Sequence, residues 1–218
     1  PQTWAVLAEV AEEKRLNTVM DTVESKLKCA FGYVQCAPSY TKGTDHIGRA
    51  TYFMPGLVEN GSVYNHGVTF KIVADCKLGR GEKAYRSFKM ISCDNPENPD
   101  SGVEPYAVSN MYIGPENPYR AGEAPMSWVT GSAGWLYRAL SEYILGVRAD
   151  FDGLEISPAL PDGWENLCVK RRFRGADYEI AYRRGEKAGL TLNGKRIEGN
   201  KIPLCKAGTV NSVTVFLP

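Results

Sequence analysis

The chain has 218 residues, 43% of them hydrophobic and 23% charged, and 26 Lys and Arg against 25 Asp and Glu leave a formal net charge of +1. That length supports one substantial core or two modest ones. The balanced charge, without a basic stripe, argues against nucleic acid, and no apolar run approaches the ~20 residues of a membrane span.

The sequence opens Pro1-Gln2-Thr3-Trp4, without an initiator Met and without a signal peptide, already inside a helical pattern. It reads as a piece of something longer. Residues 3–11 carry Trp4, Leu7, Ala8 and Ala11 on one face, and residues 15–27 carry Leu16, Val19, Met20, Val23 and Leu27; the spacing predicts two consecutive amphipathic helices. Residues 31–55, broken by Pro38, Gly43 and Gly48, predict a turn-rich loop. Helical spacing returns at 68–78 (Val68, Ile72, Val73, Cys76), and a partner helix is expected over 82–91 with Ala84, Phe88 and Ile91 inward. The longest expected loop, 92–126, holds six prolines. A loop of that length inside a compact domain is usually functional.

That loop leads into residues 127–145, SWVTGSAGWLYRALSEYIL, where Trp135, Leu136, Ala139, Leu140, Tyr143 and Ile144 predict a long helix that buries one face. Small residues, Thr130, Gly131, Ser132, Ala133 and Gly134, stand at its start. They leave backbone N–H groups open to an anion, although an ordinary capped helix accounts for the same pattern. After Gly146 the pattern becomes short alternating runs at 154–156, 168–173, 178–182, 190–192 and 213–217. Leu192-Asn193-Gly194-Lys195 signals a type I′ hairpin. The boundary is expected within 147–152, with helical pairs at 1–150 and a small antiparallel β domain at 151–218, whose plainest role is a structural cap. Six scattered cysteines, no Cys-x-x-Cys pair and only two histidines offer no structural metal site; they read as reduced thiols and favour the cytoplasm.

Three stretches, PGLVENGSVYNHG (55–67), SGVEPYAVSNMYIGPENPYRAGEAPMSWVTGSAGW (101–135) and EYILGVRADFDGLEISPALPDGW (142–164), resemble the C-terminal portion of glycoside hydrolase family 94. That family comprises inverting β-glycoside phosphorylases, with relatives that handle β-1,2-glucans. The resemblance implies a mainly α chain with β: the last helical pairs of an (α/α)6 barrel, followed by an antiparallel β-sandwich. It implies inorganic phosphate and a β-linked disaccharide or oligosaccharide as substrates, no cofactor, and a homodimer for the full-length protein.

Inverting phosphorolysis needs an acid at the leaving oxygen and phosphate on the opposite face of the sugar, where an inverting hydrolase holds its activated water. The phosphate site is therefore built from donors. Thr130 and Gly131 match the family's Thr-Gly phosphate contacts, and His66 in YNHG matches its phosphate-contacting histidine; on local sequence alone His66 reads equally as a buried structural donor. Glu59 in VENG matches an acidic residue near the acceptor sugar, or else caps the following helix. Glu104, Tyr106, Arg120 and Glu123, in the long loop, are candidate sugar contacts against a default of solvated loop positions. Phe53 stands where some members have a sugar-contacting Tyr, which opens the acceptor preference. The family's general acid is an Asp in an Asp-Trp-Asn-Asp-like motif that this chain does not contain, and Asp45, Asp150 and Asp152 do not match it. The expectation is thus a phosphorylase fragment that lacks its acid. Its rivals are a non-catalytic carbohydrate-binding or structural module and a hydrolase on the same barrel.

Overall fold

The computed structural model describes residues 1–164 and 166–218. The chain divides into two compact units, Pro1–Leu140 and Ser141–Pro218.

The first unit begins with α1 (Gln2–Leu7) and α2 (Glu13–Leu27). The first helix is shorter than its apolar pattern because Glu9 takes a left-handed φ of 53°. Glu9 N–H then donates to Val6 O at 3.1 Å and Val10 N–H to Ala5 O at 3.2 Å, the paired bonds that terminate a helix in this way. On α2, Leu16, Met20 and Val23 recur at three and four residue spacing and are buried. Leu16 and Met20 share a core with Val6 and Ala74. The stretch expected as loop after α2 contains a hairpin, β1 (Lys28–Cys29) with β2 (Gly32–Tyr33), and a 3-10 turn over Arg49–Tyr52. Two-residue strands are too short to carry a periodicity, which is why the local pattern shows no sign of them.

Next come β3 (Val63–Tyr64), α3 (Asn65–Lys77), α4 (Gly81–Ile91) and β4 (Met111–Tyr112), with β3 and β4 paired antiparallel. Helix α3 is buried on more than one face: Val68, Thr69, Lys71, Ile72, Val73, Ala74 and Asp75 are all inside. The long proline-rich segment is tied down through β4, where Asn65 N–H donates to Asn110 O (3.0 Å), Asn110 N–H to Met126 O (2.7 Å) and Ile113 N–H to Glu123 O (2.9 Å). Close approach at its centre depends on glycine. A Cβ on Gly114 would stand 1.9 Å from Gly61 O, so no other residue fits where this segment crosses the 56–61 turn.

A charged group lies at the middle of this unit. Lys71, 1% exposed, places three ammonium protons among four oxygens: Glu24, Asp75 Oδ2 (2.7 Å), Ser87 Oγ (2.8 Å) and Tyr33 OH (2.9 Å). Burial opposes its charge, but Asp75, Tyr33 and Glu24 outweigh that and hold Lys71 above its ordinary value. Burial pushes the Asp75 carboxyl up against the pull of Lys71 and of Arg80, whose Nε lies 3.3 Å from Oδ1. The partners come from α2, β2, α3 and α4, so one cation ties four elements together.

Helix α5 (Ser132–Arg138) continues as a π-helical segment over Ala139–Ile144. The wider turn changes the expected face: Leu136, Ala139 and Ile144 are buried, whereas Trp135 and Leu140 are only half-buried.

In the second unit the strands are β5 (Val147–Ala149), β6 (Gly153–Ile156), β7 (Cys168–Phe173), β8 (Ala176–Arg184), β9 (Gly189–Leu192), β10 (Lys195–Ile197), β11 (Lys201–Pro203) and β12 (Val210–Leu217). They form a three-stranded sheet, β11-β6-β5, and a five-stranded sheet, β10-β9-β12-β8-β7. The expected Asn-Gly hairpin joins β9 to β10, with Asn193 and Gly194 at φ 50° and 77°. One pairing corrects the antiparallel expectation. β12 runs parallel to β8, from Val210↔Asp177 to Leu217↔Arg184, because the chain between them passes through β9, β10 and β11 before returning. Inward residues of both sheets, among them Leu154, Ile156, Tyr178, Ile180, Tyr182, Ile202 and Val213, share one apolar core. The two tyrosines stay satisfied inside it: Tyr178 OH accepts from Cys205 N–H at 3.1 Å, and Tyr182 OH donates to Leu145 O.

Lys71→Met should destabilise the helical unit by about 3–5 kcal/mol, the usual loss when one partner of a buried pair is removed. Lys83→Met, which breaks only the exposed pair with Asp21, should stay within about 1 kcal/mol. Urea unfolding of the two variants measures the contrast, and equal losses would show that the Lys71 network is not what ties these helices.

Candidate functional site

His66 is the second residue of α3, and Gly131 directly precedes α5. The two meet: a Cβ on Gly131 would lie 3.0 Å from His66 Cε1 and 3.4 Å from both ring nitrogens. The bare glycine is what lets the backbone of the Thr-Gly turn rest on the imidazole. Around the same ring stand Phe70 (centroids 4.8 Å apart), Tyr64 (5.9 Å) and Trp135 (6.3 Å), and Trp135 packs edge-on against Phe70 at 4.8 Å. Aromatic packing between α3 and α5 thus sets the position of the turn.

The two nitrogens of His66 differ. Nδ1 lies 3.5 Å from Tyr64 OH, whereas Nε2 is buried and has no hydrogen-bond partner among the described residues. When the Tyr64 hydroxyl donates to Nδ1, the imidazole proton sits on Nε2, and a buried donor is left without an acceptor. Burial holds the His66 pKa below its ordinary value, so the ring is neutral at pH 7.

Thr130 Oγ1 accepts from Ser132 N–H at 2.8 Å and donates to Ser132 Oγ at 2.5 Å. One of the N–H groups expected to be free is therefore occupied by the turn's own threonine. His66, Thr130 and Gly131 are brought together as one cluster. A cavity of about 270 Å³ lined by Trp4, Tyr33, Tyr64, Phe70 and Lys71 lies on the other side of the Tyr64 and Phe70 rings, and none of these three residues lines it.

The sugar candidates fall into separate groups. Glu104 Oε1 accepts the indole N–H of Trp128 at 2.9 Å, and its carboxyl is held below the usual range by Ser127, by its own backbone and by Trp128. Tyr106, two residues on, is almost fully exposed with φ 67°. Arg120 and Glu123 pair with each other at 2.7 Å. Phe53 lies under the Arg49 guanidinium, 5.2 Å from the ring centroid, and Glu59 is exposed on the 55–61 turn. Buried Asn60 holds that turn, with Oδ1 accepting from Tyr40 N–H (2.8 Å) and Nδ2 donating to Phe53 O (2.7 Å) and Tyr40 O (2.9 Å). The sequence pattern singled out neither Asn60 nor Trp128. Trp128 alone had a usable signal, an aromatic two residues before Thr130.

Residues 1–146 match the family model described as "Glycosyl hydrolase 94 superfamily, catalytic domain". Over 98% of its length the chain is 44% identical to a solabiose phosphorylase of Paenibacillus borealis, covering 29% of that protein. It is 35% identical over 99% of its length to an N,N'-diacetylchitobiose phosphorylase of Vibrio proteolyticus, covering 28% of it. A 3-O-beta-D-glucopyranosyl-beta-D-glucuronide phosphorylase of Paenibacillus borealis is 35% identical over 82% of the chain and 23% of its own length. These relatives are carbohydrate phosphorylases, and the chain spans under a third of each. The chain belongs to the glycosyl hydrolase 94 superfamily.

Because the folded His66 pKa is depressed, the unfolded chain binds more protons, and stability should fall as pH drops from the ordinary value of 6.5 through the lower folded value. His66→Gln should flatten that part of a stability-versus-pH curve. An unchanged slope in the variant would show that His66 is not the group responsible.

Proposed function

We propose that this chain supplies the phosphate-binding wall and part of the sugar site of an inverting β-glycoside phosphorylase, which converts phosphate and a β-linked disaccharide to a sugar 1-phosphate and a free sugar. The observation that carries the reading is the buried, unpartnered Nε2 of His66 beside Gly131. With its proton on Nε2 the ring presents a buried donor without an acceptor, which costs free energy, and a phosphate oxygen repays that cost as no apolar neighbour does. Thr130 contributes its hydroxyl by turning its proton from Ser132 Oγ to the anion, and Gly131 lets the anion approach the backbone. Charge on the incoming phosphate would draw the His66 pKa upward, strengthening the hydrogen bond as the complex forms.

Phosphate then attacks the anomeric carbon from the face opposite the leaving oxygen, and the configuration inverts. Phosphate is a competent nucleophile, so this wall needs no carboxylate base. Glu59, Phe53, Glu104, Tyr106, Arg120 and Glu123 serve the sugar, with the Arg120–Glu123 ion pair presenting both a donor and an acceptor. Within this reading Pro1–Leu140 is part of an (α/α)6 barrel and Ser141–Pro218 a β-sandwich, which the shared core of its two sheets supports. Inorganic phosphate is a co-substrate and no cofactor takes part; the full-length protein is a homodimer in the cytoplasm, where sugar phosphates are used. The named substrates of the relatives, solabiose and N,N'-diacetylchitobiose, make either disaccharide a first choice for assay.

The test uses the fact that the chain has only two histidines. Titrating inorganic phosphate into the chain and following imidazole resonances by NMR should shift His66 and raise its pKa while His46 stays unchanged. A silent His66 would remove the phosphate site. The same chain, incubated with phosphate and either disaccharide, should release no sugar 1-phosphate, because general acid catalysis is typically worth ~100 to 10,000-fold and the acid motif is not in this sequence. Turnover abolished by His66→Ala would mean that a carboxylate among these 218 residues acts as the acid.

A further inference from the structure

Glu104, Pro105, Tyr106 and Ala107 make a tight turn in which Ala107 N–H donates to Glu104 O at 3.0 Å. Pro105 takes the second position, and Tyr106 takes the third with φ 67°. A type II turn has a positive φ at its third position, which Gly or Asn fills without strain and a tyrosine does not. Tyr106 is also 97% exposed, so packing within the chain does not account for an aromatic ring there. Its backbone N–H is tied to Cys93 Sγ at 3.2 Å, so the turn is held on both sides.

The first residue of the same turn fixes a second exposed ring. Trp128 is 77% exposed, yet its one polar group is engaged by Glu104 at 2.9 Å. An indole anchored by its edge has its position set while its flat surface stays open. Glu104 keeps further lone pairs, because a carboxylate offers about four acceptor sites. Two fixed features are thus set side by side, an apolar aromatic face and a hydroxyl acceptor. A pyranose ring matches both, with C–H groups on one face and hydroxyls around its edge.

Location decides which reaction this serves. Trp128 precedes Thr130 by two residues, a span of at most about 7 Å along the chain. That is the scale of one sugar ring, so a ring stacked at Trp128 would lie within about one ring's breadth of an anion bound at Thr130 and Gly131.

We propose that Trp128 is a sugar-stacking platform, positioned by Glu104 and flanked by Tyr106, which binds a pyranose ring of the β-linked substrate next to the phosphate turn. This inference rests on the phosphorylase reading above for its substrate class. The strain at Tyr106 is retained because its side chain contacts the sugar, and relaxing it favours the fold at the expense of binding.

The experiment follows the indole N–H resonance of Trp128, one of four tryptophans, as the chain is titrated with cellobiose and, separately, with methyl β-D-glucopyranoside. Both sugars should shift it. Trp128→Ala should weaken cellobiose binding by roughly tenfold or more, the scale of one lost aromatic stack, with Trp128→Phe recovering part of the loss. Tyr106→Gly should weaken binding while leaving the melting temperature equal or higher, an outcome that a purely structural tyrosine would not give. Equal affinity in wild type and Trp128→Ala, or no sugar response at all, overturns the proposal. So does self-association that Trp128→Ala abolishes without any sugar effect, since the ring would then be a contact between copies. The phosphate titration of His66 separates the two readings. A His66 response to phosphate without a Trp128 response to sugar removes the platform alone, and the reverse removes the phosphate site while the platform stands.

Discussion

Burying Lys71 is tolerable only if its neighbours surround it with oxygen, and those neighbours come from distant parts of the chain. Glu24 is on α2, Tyr33 on β2, Asp75 one turn along α3 and Ser87 on α4. Each must arrive for the charge to be stable, so the interaction selects one arrangement of these elements among the several that apolar packing would allow. Such a network specifies more than it stabilises. The apolar contacts of Val6, Leu16, Met20 and Ala74 drive association, and the charge fixes register.

Fixing α3 in this way also fixes what stands at its ends. His66 lies in its first turn, five residues before Lys71, and Phe70 comes directly before Lys71. The lysine thus faces a polar interior while Phe70 meets Trp4 and Trp135 on another side of the helix. Rigid packing behind the imidazole suits the anion-binding role proposed for His66, since donors already in place need no reorganisation when charge arrives. The glycine at 131 completes the geometry by omission, because any side chain there would push against the ring.

The β unit is held by different means. Its strands alternate inward and outward, as in β8 where Ala176, Tyr178, Ile180 and Tyr182 are buried and the residues between them are not. Its core needs no charge network, because the buried tyrosines are satisfied by backbone groups. Rows of Lys and Arg on edge strand β7, Lys170 and Arg172 among them, suit a strand that must not pair with another chain.

Much of this was legible in the sequence, because periodicity is a local property. The apolar spacing of α2, α3 and α4, the alternation of the longer strands and the Asn193-Gly194 turn each follow from residues within one element. The motifs YNHG and VTGSAG put His66, Thr130 and Gly131 forward only through the family resemblance, and the contact between the ring and the glycine is a product of folding. What depends on residues far apart was not legible. Lys71 and Asp75 have the spacing of ordinary helix-surface charges, and only folding brings Glu24 and Tyr33 to them; the two-residue strands β1 to β4 exist only because their partners pair with them. The parallel alignment of β12 with β8 follows from the path of the chain between them, not from any property of either strand. The local pattern determined which segments could be helix or strand. Tertiary packing decided which charge is buried, which nitrogen of His66 lacks a partner, and which tryptophan stands open beside the Thr-Gly turn, because each of those is a relation between residues that only folding makes neighbours.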